Sequence, residues 1–316
     1  MMEPIQLIHL KPLPKPTRWL SATLVAILVA ATLQSLATNP NFHWEVVWAW
    51  LFSRTIMLGV AYTLILTVGS MLIGTVLALF MAVMYQSPNP ILRSVAWFFI
   101  WFFRGTPVYT QLIFWSLLPT LYPQISLGLP FTEIYFAQFS TLDYFTPMLM
   151  ALVGLGLNEG AYLAEIIRAG LNSVDKGQWE AATALGMHRS LILRRIILPQ
   201  TMRVIIPPLG NETISMLKTT SLVSAIPITL ELTWAAKDKG QALFDPVPLL
   251  LDAAIWYLFI TSVLMVGQSY LERYYGRGFG EENKRSKAKR KGISKRQQAI
   301  LDAHTTKEDP FIEVTP

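Results

Sequence analysis

The chain has 316 residues, of which 53% are hydrophobic and only 15% charged, with a mean hydropathy of +0.41. Soluble domains carry about 25% charged residues, so this composition excludes an ordinary soluble enzyme core and indicates a membrane protein. The net charge of +6 is concentrated at one end, with 11 of the 26 Lys and Arg after residue 272, which argues against a nucleic-acid surface spread over the body; the absence of cysteine excludes disulfide frameworks and thiolate chemistry.

A bilayer core asks for about 20 apolar residues per helix, because backbone polar groups in lipid must be satisfied within the segment. Residues 1–18 read as a cytoplasmic tail. The first span is the uncharged run 19–37, which opens an added N-terminal segment, 19–54, that includes an external loop. Lys11, Lys15 and Arg18 before it and Ser35-Leu36-Ala37 at its end also fit a cleaved signal, but the apolar run is longer than usual for one. The second span lies in the uncharged run 55–92, which ends in the breaker cluster Ser87-Pro88-Asn89-Pro90. A third is expected within 95–118, interrupted by Arg104, and a fourth over 145–169. Between them, 121–143 reads as a compact external loop or short interfacial helix. The fifth span, 206–232, is the most polar, and the sixth is 253–271. The basic tail 276–316 is expected to be disordered and drawn to anionic headgroups. The expected fold class is an all-α membrane protein with about six transmembrane helices.

Orientation follows the excess of Lys and Arg in cytoplasmic loops. With the N-terminus inside, 21 basic residues fall on the cytoplasmic side and three (Arg54, Lys237, Lys239) outside; without the C-terminal tail the ratio is still 10 to 3. Both termini are therefore expected in the cytoplasm.

The internal loop 172–203 has its own helical grammar. Asp175 followed by Gln178 fits a capping box, and Gly186 stands where a left-handed cap would stop the helix. A second short helix is expected from Ser190 to about Ile197, limited by Pro199, with Pro207-Pro208 separating the loop from span five. Such a loop is either a helix lying on the membrane or a docking element for a cytosolic partner.

Glu180-Ala181-Ala182, Gly186, Ile196 and Leu198-Pro199 stand in the spacing E-A-A-x3-G-x9-I-x-L-P. At residue frequencies of roughly 5–10%, this pattern arises by chance about once in 10⁸ starting points. It resembles the EAA signature of the membrane subunits of ATP-binding-cassette importers. The resemblance extends over about 55–275. Phe103-Arg104-Gly105-Thr106-Pro107 with Gln111-Leu112, Gly160-Ala161-Tyr162 with Ala164-Glu165 and Arg168, Lys218-Thr219-Thr220-Ser221-Leu222 and Glu231-Leu232 are similar to the polar amino-acid subfamily.

The resemblance implies a five-helix type I importer core over 55–275, preceded here by one extra helix, in a bacterial inner membrane. It implies pairing with a second, identical or related permease, and docking of the EAA loop on a dimer of ATPase subunits. An extracytoplasmic solute-binding protein would deliver an amino acid. ATP and Mg²⁺ would belong to the ATPase, since this chain has no G-x4-G-K-[ST] loop. No cofactor, nucleic acid or metal is expected on this chain, whose four histidines are dispersed.

Within the spans, Glu165 and Arg168 are spaced for an i,i+3 pair. Asn158 and Glu159 stand deeper, where an ionisable group usually faces a partner or a water-filled cavity. Gly156 and Gly160 have the spacing for close helix approach. Asn211 and Lys218 share a helical face with Glu212 beside it, which either lines a path or packs between subunits. Competing functions are an ion-gradient-driven carrier, which should show inverted repeats, and a membrane sensor or enzyme, which should cluster His, Asp or Glu at a membrane face. Neither sign is present.

Overall fold

The computed structural model describes residues 16–129, 132, 134–226 and 230–275. The readings of the N-terminal tail, with Lys11 and Lys15, and of the basic tail 276–316 lie outside these residues. Helix α1 (Pro16–Thr38) is apolar on every side, and its residues from Arg18 to Thr38 are all exposed. Asn39 ends it by capping the 3₁₀ turn Pro40–Phe42, and α2 (Trp44–Trp50) follows. Trp44 Nε1 donates to the Leu36 carbonyl at 2.9 Å across this corner.

The body is organised on α3 (Arg54–Gln86), which at 33 residues is about 50 Å long. Its buried stripe narrows to Ser70, Gly74, Ala78 and Ala82, one small residue per four. These admit α8 (Pro147–Asn172), whose Gly156 and Gly160 sit at the same contact: a Cβ on Gly156 would stand 2.6 Å from Ile73 Cγ2, and one on Gly160 3.0 Å from Leu77 Cβ. Small residues on both helices let the backbones approach, as the G-x-x-x-G spacing suggests.

The third expected span is two helices. α4 (Pro90–Gly105) starts at the Asn89 cap and stops at Thr106, which is extended, and α5 (Val108–Ser116) restarts after Pro107. Proline lacks the N–H and disfavours helical geometry in the residue before it, so the span breaks there. Short α6 (Leu118–Leu121) leads to the segment expected outside, where the expected loop or interfacial helix is instead an antiparallel hairpin, β1 (Gln124–Gly128) with β2 (Tyr135–Ser140). Its register pairs Ile125 with Phe139 and Leu127 with Ala137 on one face, and Ser126 with Gln138 on the other. This alternation has the period of a strand, which selects the hairpin over a helix inside an otherwise helical fold. α7 (Thr141–Tyr144) returns the chain to α8.

Below α8 lie α9 (Lys176–Ala184), α10 (Arg189–Ile192) and a π turn (Leu193–Ile197), which passes without a stop into α11 (Leu198–Thr219). The prolines do not separate loop from span. Pro199 falls in the first turn of α11, where its missing N–H is tolerated, and Pro207-Pro208 lie inside the helix. There the Pro207 carbonyl accepts from Gln268 Nε2 at 2.7 Å, and Gln268 packs where Gly210 has no side chain. A 3₁₀ segment (Thr220–Ala225) follows, then α12 (Leu232–Ala242) and α13 (Pro246–Tyr275).

Among the described residues four helices, α1, α3, α8 and α13, are long and apolar enough to cross a membrane, whereas α4–α5 and α11 are too broken or too polar by that measure. Buried Glu231 ties the outer end together. It accepts from Thr63 Oγ1 of α3 at 2.9 Å, from Tyr257 Oη of α13 and from the Thr233 N–H of α12 at 2.8 Å. Leu66, Leu112, Leu155, Met216 and Val223 form one core, and Ala78, Ile100, Leu163 and Ala164 form another further along α3 and α8.

Candidate functional site

Breaking a helix inside a membrane exposes carbonyls that need donors. Here Gln111 Nε2 donates to the Phe103 and Thr106 carbonyls, both at 3.0 Å, and Asn158 Nδ2 donates to the Phe103 carbonyl at 2.9 Å and to Gln111 Oε1 at 3.2 Å. The Arg104-Gly105-Thr106-Pro107 motif is therefore a helix break locked by α5 and α8. Asn158 serves that lock as well as the space beside it.

Beneath the break opens a cavity of about 410 Å³ between α4, α8 and α11. Glu159 faces it at 4% exposure, and its Oε1 has no hydrogen-bond partner. Glu212 faces it from α11 with Ser215 and Thr219, and Arg104 closes a side with its guanidinium 5.3 Å from the centre of the Tyr162 ring. A carboxyl group buried this deeply is costly to ionise without a counter-charge, so Glu159 is left with capacity for a further partner inside the cavity. Arg104 across from the two glutamates gives the lining both signs.

Not every residue expected on a path lines this cavity. Asn211 and Lys218 do share a face, but both are exposed and neither lines the cavity. The inward stripe of α11 is Glu212, Ser215, Met216 and Thr219, the neighbouring row of the same helix. A second cavity of about 480 Å³ lies below the first, lined by Tyr85, Trp97, Glu165 and Arg168. Arg168 Nε donates to Glu165 Oε2 at 2.9 Å, the i,i+3 pair expected, and its guanidinium also stands 5.5 Å from the Tyr85 ring centre.

The EAA residues divide into an exposed and a supporting set. Asp175 caps α9 through the Gly177 N–H at 2.6 Å, while Gln178 remains exposed with no return bond to Asp175, so the capping box is half formed. Gly186 has φ +74°, the left-handed conformation the sequence required, and its N–H donates to the Thr183 carbonyl at 2.9 Å. Ala182, Ile192 and Ile197 form a small core with Leu171, Met187 and Ile196, and Leu198-Pro199 open α11 directly above it. Glu180, Ala181 and Leu185, the last 82% exposed, point away from that core. A helix that shows a leucine, alanines and a glutamate to water while standing on its own core has the form of a docking surface.

An interrupted helix over a cavity of both signs, inside a membrane-spanning body with a free surface helix, defines a membrane transport protein. Residues 74–276 match the family model of the binding-protein-dependent transport system inner membrane component, and the chain belongs to that family. It is 50% identical over 272 residues to the arginine transport system permease protein ArgU of Corynebacterium glutamicum, covering 86% of this chain and 84% of that one. With the histidine/lysine/arginine/ornithine transport system permease protein HisM of Escherichia coli it shares 38% over 210 residues, 66% of this chain and 83% of the relative. The crystal structure of an amino acid ABC transporter with histidines superposes with a TM-score of 0.60 at 32% identity, covering 74% of this chain and 98% of that one. The fold is that of a type I ABC importer permease, and the chain is a permease component and not an enzyme.

Of the residues expected on the path, Asn158, Glu159 and Glu212 line the cavity; Tyr162, Ser215 and Thr219 were not expected as lining, nor Gln111 as the lock of the break. Pro107 in mid-span was the available signal for the lock, because a lost helical bond needs a side-chain donor nearby.

Proposed function

We propose that this chain forms the translocation path for amino acids with a cationic side chain in an ATP-driven importer. The observation that carries the reading is the cavity, where the unpartnered Glu159 carboxylate and Glu212 suit an ammonium or guanidinium and Arg104 suits an α-carboxylate. The likeness to ArgU supports it. The exposed set Glu180, Ala181 and Leu185 docks on an ATPase dimer that holds ATP and Mg²⁺, while Ala182, Gly186, Ile196, Leu198 and Pro199 transmit its movement to α11. The face of Asn211 and Lys218 meets a second permease, identical or related. A binding protein delivers substrate to the outer side, and both termini lie in the cytoplasm of a bacterial cell bounded by this inner membrane. Residues 55–275 form the importer core, and 19–54 an addition to it whose exposed α1 faces lipid.

The test is binding of labelled arginine to the purified permease–ATPase complex with no binding protein present, so that selection by the delivery protein is removed. Glu159→Gln and Glu212→Gln should each weaken arginine at least tenfold and citrulline, its uncharged analogue, little. Equal affinity for the two compounds in the unmodified complex would overturn the cationic reading.

A further inference from the structure

The two cavities are stacked along α8, and the residues they have in common are Arg104, Gly105 and Tyr162. Along that helix Glu159, Tyr162, Glu165 and Arg168 follow at intervals of three, a rise of about 4.5 Å each. The upper carboxylate therefore faces one cavity, the lower carboxylate faces the other, and an aromatic ring stands between them. Arg104 lies over that ring.

Arg104 is held there weakly. Among the described residues it makes no ion pair, and its recorded partner is the Tyr162 face at 5.3 Å. A cation–π contact at a wet site is weaker than a bidentate, charge-assisted bond to a carboxylate. Its charge also acts on Glu212 in the upper cavity and on Glu165 in the lower one, so it has a place to go on either side. Gly105 beside it adds no side chain to either cavity, and an added Cβ there would meet nothing within 4 Å. In the observed position the guanidinium stands between the Glu159 and Glu165 carboxyl groups, an electrostatic barrier to any cation passing from one to the other.

We infer that Arg104 and Tyr162 form a substrate-operated gate between the upper cavity and a second amino-acid station at Glu165 and Arg168. The α-carboxylate of a bound amino acid draws the guanidinium off the ring, removing the barrier as the same substrate needs to pass. At the lower station the Glu165–Arg168 pair offers both charges again, one for each end of a zwitterion. This inference rests on the cationic amino-acid reading of the upper cavity. It adds a requirement that reading lacks: a cation without a carboxylate fills the upper cavity and goes no further.

The experiment uses the permease–ATPase complex in liposomes loaded with labelled arginine, and follows efflux without ATP. Tyr162→Leu removes the ring and should raise efflux at least tenfold, while Tyr162→Phe keeps the aromatic face and should hold efflux near the unmodified level. Arg104→Gln, which preserves length and polarity, gives an independent variant and should also leak. In the unmodified complex agmatine, which is arginine without its carboxylate, should compete for arginine binding within about threefold yet be taken up at less than a tenth of the rate. Tyr162→Leu and Arg104→Gln vesicles as tight as those with Tyr162→Phe would overturn the gate, as would agmatine uptake equal to that of arginine. Arginine binding that still falls in Glu159→Gln would then leave the substrate reading standing, so the two failures are distinguishable.

Discussion

Gly74 on α3 lies directly under the side chain of Glu159 on α8: a Cβ at position 74 would stand 2.9 Å from Glu159 Cγ and 3.2 Å from the Gly160 nitrogen. The glycine sets the height of the carboxylate in the cavity. Backbone as well as side chain blocks the added atom, so the helices must separate to admit it.

Gly74→Ala should therefore lower the unfolding midpoint of the solubilised chain by the equivalent of about 1–3 kcal/mol and displace Glu159. Arginine binding should weaken in parallel. A variant with native stability and native affinity would show that the α3–α8 contact does not position the carboxylate.

At the loop, Gly186 holds φ +74°, and a β-branched residue resists that conformation by about 1–3 kcal/mol. Gly186→Val should distort the end of α9, and Glu180→Lys should reverse a charge on its exposed side. Both variants should insert at normal levels but lose ATP-dependent uptake, either by failing to retain the ATPase or by letting it hydrolyse ATP without transport. Uptake and co-purification are measured in one preparation. Normal values in both variants would reduce α9 to a passive surface helix.

Glu231 predicts the opposite pattern. Its carboxylate is fully buried and receives bonds from α3, α12 and α13. Glu231→Ala strands those donors and should destabilise the chain by roughly 2–4 kcal/mol. The ratio of arginine to citrulline binding should not change in the surviving fraction. A changed ratio would move Glu231 from scaffold to path.

Orientation is tested by fusion. A reporter active only in the cytoplasm should work at Ser286, and one active only outside should work at Leu127, on the hairpin. The basic residues divide 21 to 3 in favour of this arrangement. An external Ser286 would put α9 on the wrong side of the membrane for any ATPase.

What could be read from the residues followed how local the cause was. Apolar length located α1, α3, α8 and α13, three of them by runs free of charge, and Gly186 at the end of a helical pattern gave its left-handed φ, because both depend on neighbours in sequence. The hairpin was also legible, in the alternation of Gln124-Ile125-Ser126-Leu127, but the run is short and aromatic enough to pass for an interfacial segment. Pro207-Pro208 misled for a different reason. The bond that steadies the interrupted ladder comes from Gln268, 61 residues away, and nothing near the prolines announces it. Likewise the spacing of Asn211 and Lys218 correctly gave a common face, but which row of α11 turns inward is decided by packing against α8 and α13.

If α11 pivots at its two prolines, it would act as a lever with unequal arms. From Ile197, in the core under α9, to Pro207 is about 15 Å of helix, and from Pro207 to Glu212 about 7.5 Å. With such a pivot at Pro207, where Gln268 bonds, a displacement of about 2 Å at the loop would become a shift of about 1 Å at Glu212. The arm ratio halves travel and doubles force, which suits a stroke that must break short polar contacts in a crowded cavity rather than sweep substrate across it. An ångström is also about the difference between a good hydrogen bond and none, so the cavity can release its guest while the helices around it barely move.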